Sequence, residues 1–225
     1  MTSRVVALVP ARNEADRVAA TVSALRTVES VGSVVVVDDG SDDGTASAAL
    51  AAGAGVLRVP RRAGKGRALE GALRRLPPAE VWLLADGDLG ESASELGRVV
   101  IEVLEGRTDV AIATFPPAPG GGFGIVKRAA RAAIRVLCGF RAAEPLSGQR
   151  AIRGSALEEC RPLARGFGVE TAMTIDAVRA GFRVTEVAAE LTHRPTGRGL
   201  RGFRHRGRQG LEILLAVLPR ALGLR

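Results

Sequence analysis

The sequence predicts an α/β domain with a mostly parallel central sheet and helices on both faces, and three observations support this prediction. Short apolar, β-branched runs alternate along the chain with segments whose apolar residues recur at helical spacing. The short runs are continuously apolar, as expected of strands that are covered on both faces. The length of 225 residues and the apolar content of 46% are sufficient for one sizeable core.

The first half of the chain contains five predicted strands, at residues 5–9, 33–37, 56–59, 81–85 and 110–113. The first predicted helix, at 15–28, carries Val18, Val22 and Leu25 on one side. Further helices are predicted through the alanines to residue 52, and at 64–76 before two prolines. Ser92 and Glu95 form a candidate capping box for a helix that extends to about residue 105.

The second half begins with a proline- and glycine-rich loop at 114–124, which is either a lid or a plain connection. A helix with a basic polar side is predicted at 125–137. A glycine-rich turn then enters a helix at 166–181, and a strand follows at 183–191. The end of the chain is strongly basic and then apolar, and residues 211–222 have the character of an amphipathic helix.

Charge and composition narrow the classes of partner. The net charge is +8, and nearly all basic residues are arginines, whose planar forks suit phosphate groups. Aromatic residues make up 3% of the chain, so stacking surfaces for bases are scarce and no nucleic-acid partner is expected. We find no apolar run near the roughly 20 residues that a membrane span requires, and no disulfide framework. We therefore expect a cytoplasmic protein, soluble or peripheral at the inner face of the plasma membrane.

The stretch LLADGDLG places two aspartates, Asp86 and Asp88, at the end of the fourth predicted strand. Side chains at i and i+2 of an extended segment point the same way, so the two carboxylates can converge. Converging carboxylates favour a cation between them, and oxygen ligands suit Mg²⁺ or Mn²⁺. The alternative is a simple turn or helix cap, but the position at the carboxyl edge of a parallel sheet favours a metal site.

The stretch VVVVDDGSDDGT provides the second signal. Asp38 and Asp39 end the second predicted strand at the same sheet edge, where a carboxylate can accept hydrogen bonds from a base N–H or ribose hydroxyls. Asp42 or Asp43 is a candidate N-cap of the next helix. A turn with a cap is the alternative interpretation, but it does not explain the paired aspartates.

Four segments, VPARNEADRV, VVVVDDGSDDGT, GKGRAL and LLADGDLG, together resemble the nucleotide-binding half of family 2 glycosyltransferases with the GT-A fold. The resemblance implies that Asp86 and Asp88 hold a divalent metal on the diphosphate of a UDP- or GDP-sugar, and that Asp88 has a catalytic role. It also implies that Lys65 lies close to the nucleotide. The implied nucleoside pocket is lined by Pro10, Asn13, Glu14 and Asp39.

The segment EPLSGQRAIRG resembles the acceptor region of dolichol-phosphate mannose synthases and related polyprenyl-phosphate glycosyltransferases, although Gln149 replaces an aromatic residue and Glu144 an aspartate. In that family the arginine of this segment and basic residues on the preceding helix hold the acceptor phosphate. The corresponding residues here are Arg128, Arg131, Ser147 and Arg150. The alternative for any one of these arginines is a solvated surface position.

Three further residues are candidates for the functional site, although they could also have purely structural roles: His193, Glu170 and Asp176. Those synthases often have a glutamine two residues beyond the second aspartate, where this chain has Gly90, so another metal ligand is needed. His193 is a candidate, because several GT-A enzymes have a metal-binding histidine in a comparable late position. Glu170 and, less strongly, Asp176 are candidates for an acidic residue that contacts the acceptor or acts as base; Glu170 in a first helical turn can also simply favour the helix dipole.

These observations together predict one GT-A domain at 1–195, with a nucleotide-sugar half at 1–115 and an acceptor half at 116–195. Residues 196–225 form a basic extension whose helix either packs on the domain or contacts anionic membrane. The predicted activity is metal-dependent transfer of a sugar from a nucleotide-diphosphate sugar to polyprenyl phosphate. The alternatives are a small soluble phosphorylated acceptor, as in glucosyl-phosphoglycerate synthases, and a non-catalytic basic module that binds membrane or nucleic acid.

Overall fold

The computed structural model describes residues 4–115, 124–192 and 200–224, with side chains in the last range described from residue 210 onward. The strands are β1 (Val5–Ala11), β2 (Ser33–Asp38), β3 (Gly55–Arg58), β4 (Val81–Leu84), β5 (Val110–Thr114), β6 (Arg150–Arg153) and β7 (Val184–Ala188). The α-helices are α1 (Val18–Arg26), α2 (Thr45–Ala51), α3 (Lys65–Leu73), α4 (Gly97–Leu104), α5 (Ile125–Cys138), α6 (Gly154–Glu159), α7 (Val169–Arg179) and α8 (Leu200–Ala221). Two 3₁₀ helices cover Gly90–Leu96 and Gly166–Gly168.

The strands form one sheet in the order β3-β2-β1-β4-β6-β5-β7. Every neighbouring pair is parallel except those that involve β6, which runs antiparallel to both β4 and β5. This arrangement confirms the predicted mostly parallel sheet. Since β1, β2 and β4 run the same way, their carboxyl ends bring the polar residues that follow them to one edge.

Helices cover both faces of the sheet, and β1 shows why its apolar run is continuous. Val5, Ala7 and Val9 belong to the cluster that packs against α1 and α4, whereas Val6 and Leu8 belong to the cluster on the opposite face with α3, α6 and α7. All five side chains are buried. Because successive side chains of a strand point to opposite faces, a strand that is covered on both sides has no polar position.

The structure differs from the sequence prediction in several local features, and the N-cap of α2 is Gly44 rather than Asp42 or Asp43. The capping box does not form, because Ser92 and Glu95 lie inside the 3₁₀ helix and α4 begins only at Gly97. The Ser92 hydroxyl instead donates to the Leu89 carbonyl at 2.7 Å. The sequence also did not predict β6 or α6, although β6 connects the two halves of the sheet.

The C-terminal helix α8 packs on the domain through the 3₁₀ helix at 166–168, α5 and α7. Its inner side buries Ile213 and Ala216, and Arg220 forms a buried ion pair with Asp176 of α7. The Arg220 Nε lies 2.7 Å from one Asp176 oxygen. This contact supports the packing alternative for the tail, and it gives Asp176 a structural role.

The outer side of α8 is apolar and exposed. Four leucines of α8 and one leucine directly after it continue the same spacing and form this side, which we call the leucine face: Leu211, Leu214, Leu215, Leu218 and Leu222. Each has between 48% and 64% of its surface exposed. Within the described residues, however, no helix has the length and apolarity needed to cross a membrane.

Candidate active site

The turn that follows β4 carries Asp86, Gly87 and Asp88, and buried hydrogen bonds fix it. The hydroxyl of Thr21 on α1 donates to the Gly87 carbonyl at 2.9 Å and accepts from the Gly90 amide at 2.8 Å. A Cβ at Gly87 would lie 3.0 Å from the Cβ of Ala11, so glycine lets the turn pack closely on the end of β1. The two aspartates are therefore held on a rigid turn at the carboxyl edge of the sheet.

Lys65 bridges two carboxylates at this edge. Its Nζ lies 2.6 Å from Asp86 Oδ1 and 2.7 Å from Glu170 Oε1, and Gln149 Nε2 donates to the other Asp86 oxygen at 2.6 Å. Burial alone would lower the pKa of Lys65, but Asp86 and Glu170 outweigh it and raise the pKa above its ordinary value. Lys65 is therefore a permanent cation at neutral pH, and it brings α3, β4 and α7 together.

Gly148 shows how closely this cluster is packed. A Cβ built at this residue would overlap Lys65 Nζ and would lie 3.0 Å and 3.1 Å from the two Asp86 oxygens. The backbone of the segment before β6 therefore touches the charged groups directly. No side chain other than hydrogen fits here without displacing them.

A cavity of about 160 Å³ lies beside the cluster. Three predicted nucleotide-site residues line it: Pro10, Asp39 and Lys65. The other lining residues are Ala11, Arg12, Arg62, Gly64, Gly166, Phe167 and Glu212. The two Asp39 oxygens accept from the backbone amides of Ala63 at 2.6 Å and Gly64 at 2.9 Å, which orients the carboxylate and fixes the loop before α3. The structure thus brings predicted residues from the end of β1, the segment after β2 and the start of α3 around one space.

Three other predicted nucleotide-site residues do not line this cavity. Asn13, with a left-handed φ of 56°, accepts through its side-chain oxygen from the Asp42 amide at 3.0 Å. The Glu14 amide donates to Thr45 at 2.9 Å, which ties the same two loops together. Asp38 is fully buried and accepts from the Ser41 amide at 2.9 Å. Their positions give these residues roles in holding the loops, and direct contact of Asp38 with a nucleotide is not supported.

The four predicted acceptor-phosphate residues do not form one open site. Ser147 and Arg150 are buried, and one Arg150 nitrogen donates to the Ser147 carbonyl at 2.6 Å. Burial lowers the pKa of Arg150, although Glu170 opposes this effect. Arg131 donates to the carbonyls of residues 142 and 143, whereas Arg128 lies exposed on α5. Arg150 as placed cannot reach an acceptor, because none of its surface is exposed.

The remaining predictions fall partly outside the described residues. His193 and most of the candidate lid, residues 116–123, lie there. Among the described residues, no group of three or more His, Cys, Asp or Glu side chains is arranged to hold a metal ion. Two carboxylates are nevertheless a fitting donor set for Mg²⁺, which is commonly bound by one or two carboxylates together with water and substrate phosphates.

Sequence reasoning missed several residues that the fold brings to the site. Gln149 was noted as a departure from the resembling family, without the prediction that it binds Asp86. Thr21 gave no signal, because a threonine in a helical pattern is ordinary. Phe167 and Glu212 reach the cavity from parts of the chain far from the other lining residues, so no local pattern could have identified them.

The sheet and the polar site at its carboxyl edge together define the GT-A fold of nucleotide-diphospho-sugar transferases. The sequence model of the family described as glycosyl transferase family 2 matches residues 6–157, and the chain belongs to this family. Glycosyltransferase AglJ of Haloferax volcanii is 30% identical over 194 residues, which cover 84% of this chain and 63% of that protein. The polyprenol monophosphomannose synthase of Mycolicibacterium smegmatis is 28% identical over 216 residues, with 87% and 80% covered.

Solved structures agree with this assignment. Glucosyl-3-phosphoglycerate synthase from Mycobacterium tuberculosis, in complex with Mn²⁺, UDP and phosphoglyceric acid, superposes with a TM-score of 0.82 at 26% identity, and the match covers 97% of this chain and 78% of that one. Its complex with Mg²⁺ and UDP gives a TM-score of 0.81 at 25% identity, with 97% and 79% covered. The similarity therefore extends well beyond residues 6–157.

Proposed function

We propose that this protein is a metal-dependent glycosyltransferase that moves a sugar from a nucleotide-diphosphate sugar to a phosphate-bearing acceptor. One observation carries the proposal. Asp86 and Asp88 lie on a rigid turn beside Lys65, and both Lys65 and Asp39 line the adjacent cavity. Binding of UDP with Mn²⁺ or Mg²⁺ by the similar synthase from Mycobacterium tuberculosis supports it.

Asp86 and Asp88 are the residues that would hold Mg²⁺ or Mn²⁺. The bound ion would neutralise charge that develops on the departing nucleoside diphosphate. Lys65 adds a fixed positive charge on the same side of the cavity, since its ammonium group is already held by two carboxylates. His193 remains a candidate third ligand.

Asp39 and the acceptor-side residues would position the two substrates. Asp39 is oriented by two backbone amides and can accept from a ribose hydroxyl or a base N–H. Glu170 would contact the acceptor from the first turn of α7. An acceptor phosphate is already ionised, so its oxygen can attack the anomeric carbon without a general base while the bond to the nucleoside diphosphate breaks. Such a direct displacement inverts the configuration at that carbon.

We infer that the acceptor is a polyprenyl phosphate at the cytoplasmic membrane face, because of the leucine face on α8. The first half of the same helix contains four arginines, at positions 201, 204, 206 and 208, and the chain has a net charge of +8. A basic helix with an exposed apolar side suits an anionic lipid surface. Leu211 also directly precedes Glu212, which lines the cavity, so the leucine face and the donor site adjoin the same turn of α8.

A small soluble acceptor is the second candidate, and one observation favours it. A solved structure of a synthase in complex with phosphoglyceric acid matches 97% of this chain. A soluble acceptor would make the leucine face irrelevant to turnover. The two candidates therefore differ in lipid dependence and, where the soluble reaction proceeds with retention, in product stereochemistry.

The donor site is tested by thermal shift with UDP-, GDP- and dTDP-sugars, with and without Mn²⁺. We expect one donor class to raise the melting temperature only when the metal is present. Asp88→Ala should abolish the metal-dependent increase in melting temperature. Glu159→Ala, which alters an exposed residue of α6, should leave that increase unchanged. A full metal-dependent shift in Asp88→Ala would contradict the site assignment.

The acceptor is tested with vesicles that contain anionic phospholipid and polyprenyl phosphate, compared with soluble phosphoglyceric acid. We expect transfer to the lipid, with inversion. The double substitution Leu214→Gln and Leu215→Gln should reduce vesicle binding and lipid turnover together. Leu50→Gln on α2 is the matched control, because Leu50 is 59% exposed on another helix. Transfer to the soluble acceptor alone, with no effect of the double substitution, would favour the second candidate.

A further inference from the structure

We propose that Glu212 of α8 is a nucleoside-recognition residue, which accepts a hydrogen bond from the ribose or base of the donor. This inference rests on the proposed function and adds a residue to its donor site. Glu212 lies outside residues 6–157, which match the family. It belongs to the C-terminal helix, which sequence reasoning treated as an extension.

The position of Glu212 places it in the donor site. It lines the same cavity as Pro10, Asp39 and Lys65. Its Oε2 accepts from the Phe167 amide at 2.9 Å, and this bond fixes the carboxylate against the 3₁₀ helix at 166–168. Phe167 lines the cavity as well, so Glu212 and Phe167 form one wall of it.

Two glycines make this approach possible. A Cβ at Gly166 would overlap the Glu212 carboxylate, and Gly166 has a left-handed φ of 59°, which other residues rarely adopt. A Cβ at Gly168 would overlap Ala216 and would lie 2.7 Å from the Glu212 carbonyl oxygen. The segment therefore lets α8 lie against the rim of the cavity. A side chain at Gly168 would push the helix away, and a side chain at Gly166 would displace the Glu212 carboxylate.

The charge of Glu212 determines which part of the donor it can face. An ionised carboxylate only accepts hydrogen bonds, and the diphosphate of a nucleotide is likewise negative and lacks donors. The ribose hydroxyls and base N–H groups are the donor groups of a nucleotide. Asp39 is a second carboxylate on the cavity wall, whereas Lys65 supplies positive charge beside Asp86. In the orientation we infer, the nucleoside lies near Asp39 and Glu212 and the diphosphate lies toward Lys65 and the metal, with Arg12 and Arg62 as further cations on the cavity wall.

Isothermal titration of the full chain with Mn²⁺ and uridine, guanosine, UDP or GDP tests this assignment. We expect Glu212→Ala to weaken binding of the preferred nucleoside and of its diphosphate by the same factor, about tenfold or more. Glu212→Gln keeps an oxygen that can accept from the Phe167 amide, so it should retain the fold while losing most of the affinity. Glu159→Gln is the matched control for removal of one exposed carboxylate.

The possible outcomes separate three explanations. Unchanged binding by both Glu212 variants would overturn the inference and leave Glu212 as a structural partner of Phe167. Tighter binding of the diphosphate with unchanged binding of the nucleoside would also overturn it, because Glu212 would then act only by repelling phosphate. If the unaltered protein bound none of the four probes and none of the donors in the thermal-shift panel, the proposed function would fail, and this inference with it.

Discussion

Gly148→Ala is the substitution that most directly tests the charged cluster. The added methyl group would overlap Lys65 Nζ and press on both Asp86 oxygens, at 3.0 Å and 3.1 Å. Because the ammonium group is the end of a flexible side chain, it can retreat while the backbone stays in place. Such a retreat would break or lengthen the contacts of 2.6 Å to Asp86 and 2.7 Å to Glu170.

The expected magnitudes differ for stability and activity. A retreat of roughly 1 Å at a positioning residue can lower turnover about 10²-fold. Overpacking costs about 1–3 kcal/mol, and the lower end applies where a flexible group yields. For a domain of this size, about 1 kcal/mol corresponds to a decrease of roughly 2–4 °C in melting temperature. Activity should therefore fall much more than stability.

Gly71→Ala provides the matched control, because Gly71 lies within α3 and its added Cβ would meet no atom within 4 Å outside the neighbouring backbone of its own helix. Alanine stabilises a helix interior relative to glycine, so this variant should gain about 0.4–1 kcal/mol and keep its activity. The assays are thermal unfolding and initial rates with the donor identified by the thermal-shift panel. If Gly148→Ala retained full turnover, the assignment of the Lys65 cluster to the active site would be refuted.

Three further predictions concern the packing of α8 and the response to pH. Gly168→Ala should destabilise the fold by about 1–3 kcal/mol in chemical denaturation, because its Cβ would overlap Ala216, and an unchanged midpoint would contradict this packing. Asp176→Asn should cost about 3–5 kcal/mol by leaving Arg220 buried without its counter-charge, while replacing both partners with apolar residues should recover most of the loss. Burial alone would raise the pKa of Glu70, but hydrogen bonds from arginines outweigh it and lower the pKa below its usual 4.5. The stability from Glu70 is therefore fully present above about pH 4.5 and is lost as the pH falls below that value. The difference in melting temperature between the unaltered protein and Glu70→Gln should shrink over the same acidic range, and a constant difference would contradict this.

The sequence predicted the donor half of the fold well because its signals are local. Continuous apolar runs identified β1, β2 and β4, and the aspartates that follow β2 and β4 lie at the predicted edge. Asp39 and Lys65 do line one cavity. The location of a polar residue directly after a buried strand can be predicted from the sequence, because the carboxyl ends of parallel strands lie at the same edge of the sheet.

The residues that sequence reasoning misplaced depend on contacts between distant segments. Arg150 was expected at the acceptor phosphate because of its neighbours in sequence, but β6 inserts between β4 and β5 and buries it. Asp38 and Asp39 are adjacent in the chain, yet side chains on a strand alternate in direction, and only Asp39 lines the cavity. Glu212 reaches the site through helix packing, which has no signature in a single sequence.

The antiparallel strand β6 has a consequence for synthesis of the chain. Within the described sheet, β5 pairs only with β6 and β7, although it ends at residue 114. During translation, β5 therefore has no neighbouring strand until residues 150–153 have been synthesised. The strands β1, β2, β3 and β4 can pair with one another before that point. A chain truncated after residue 115 would therefore present an incomplete sheet with an unsatisfied edge, and we expect chaperones to engage that edge.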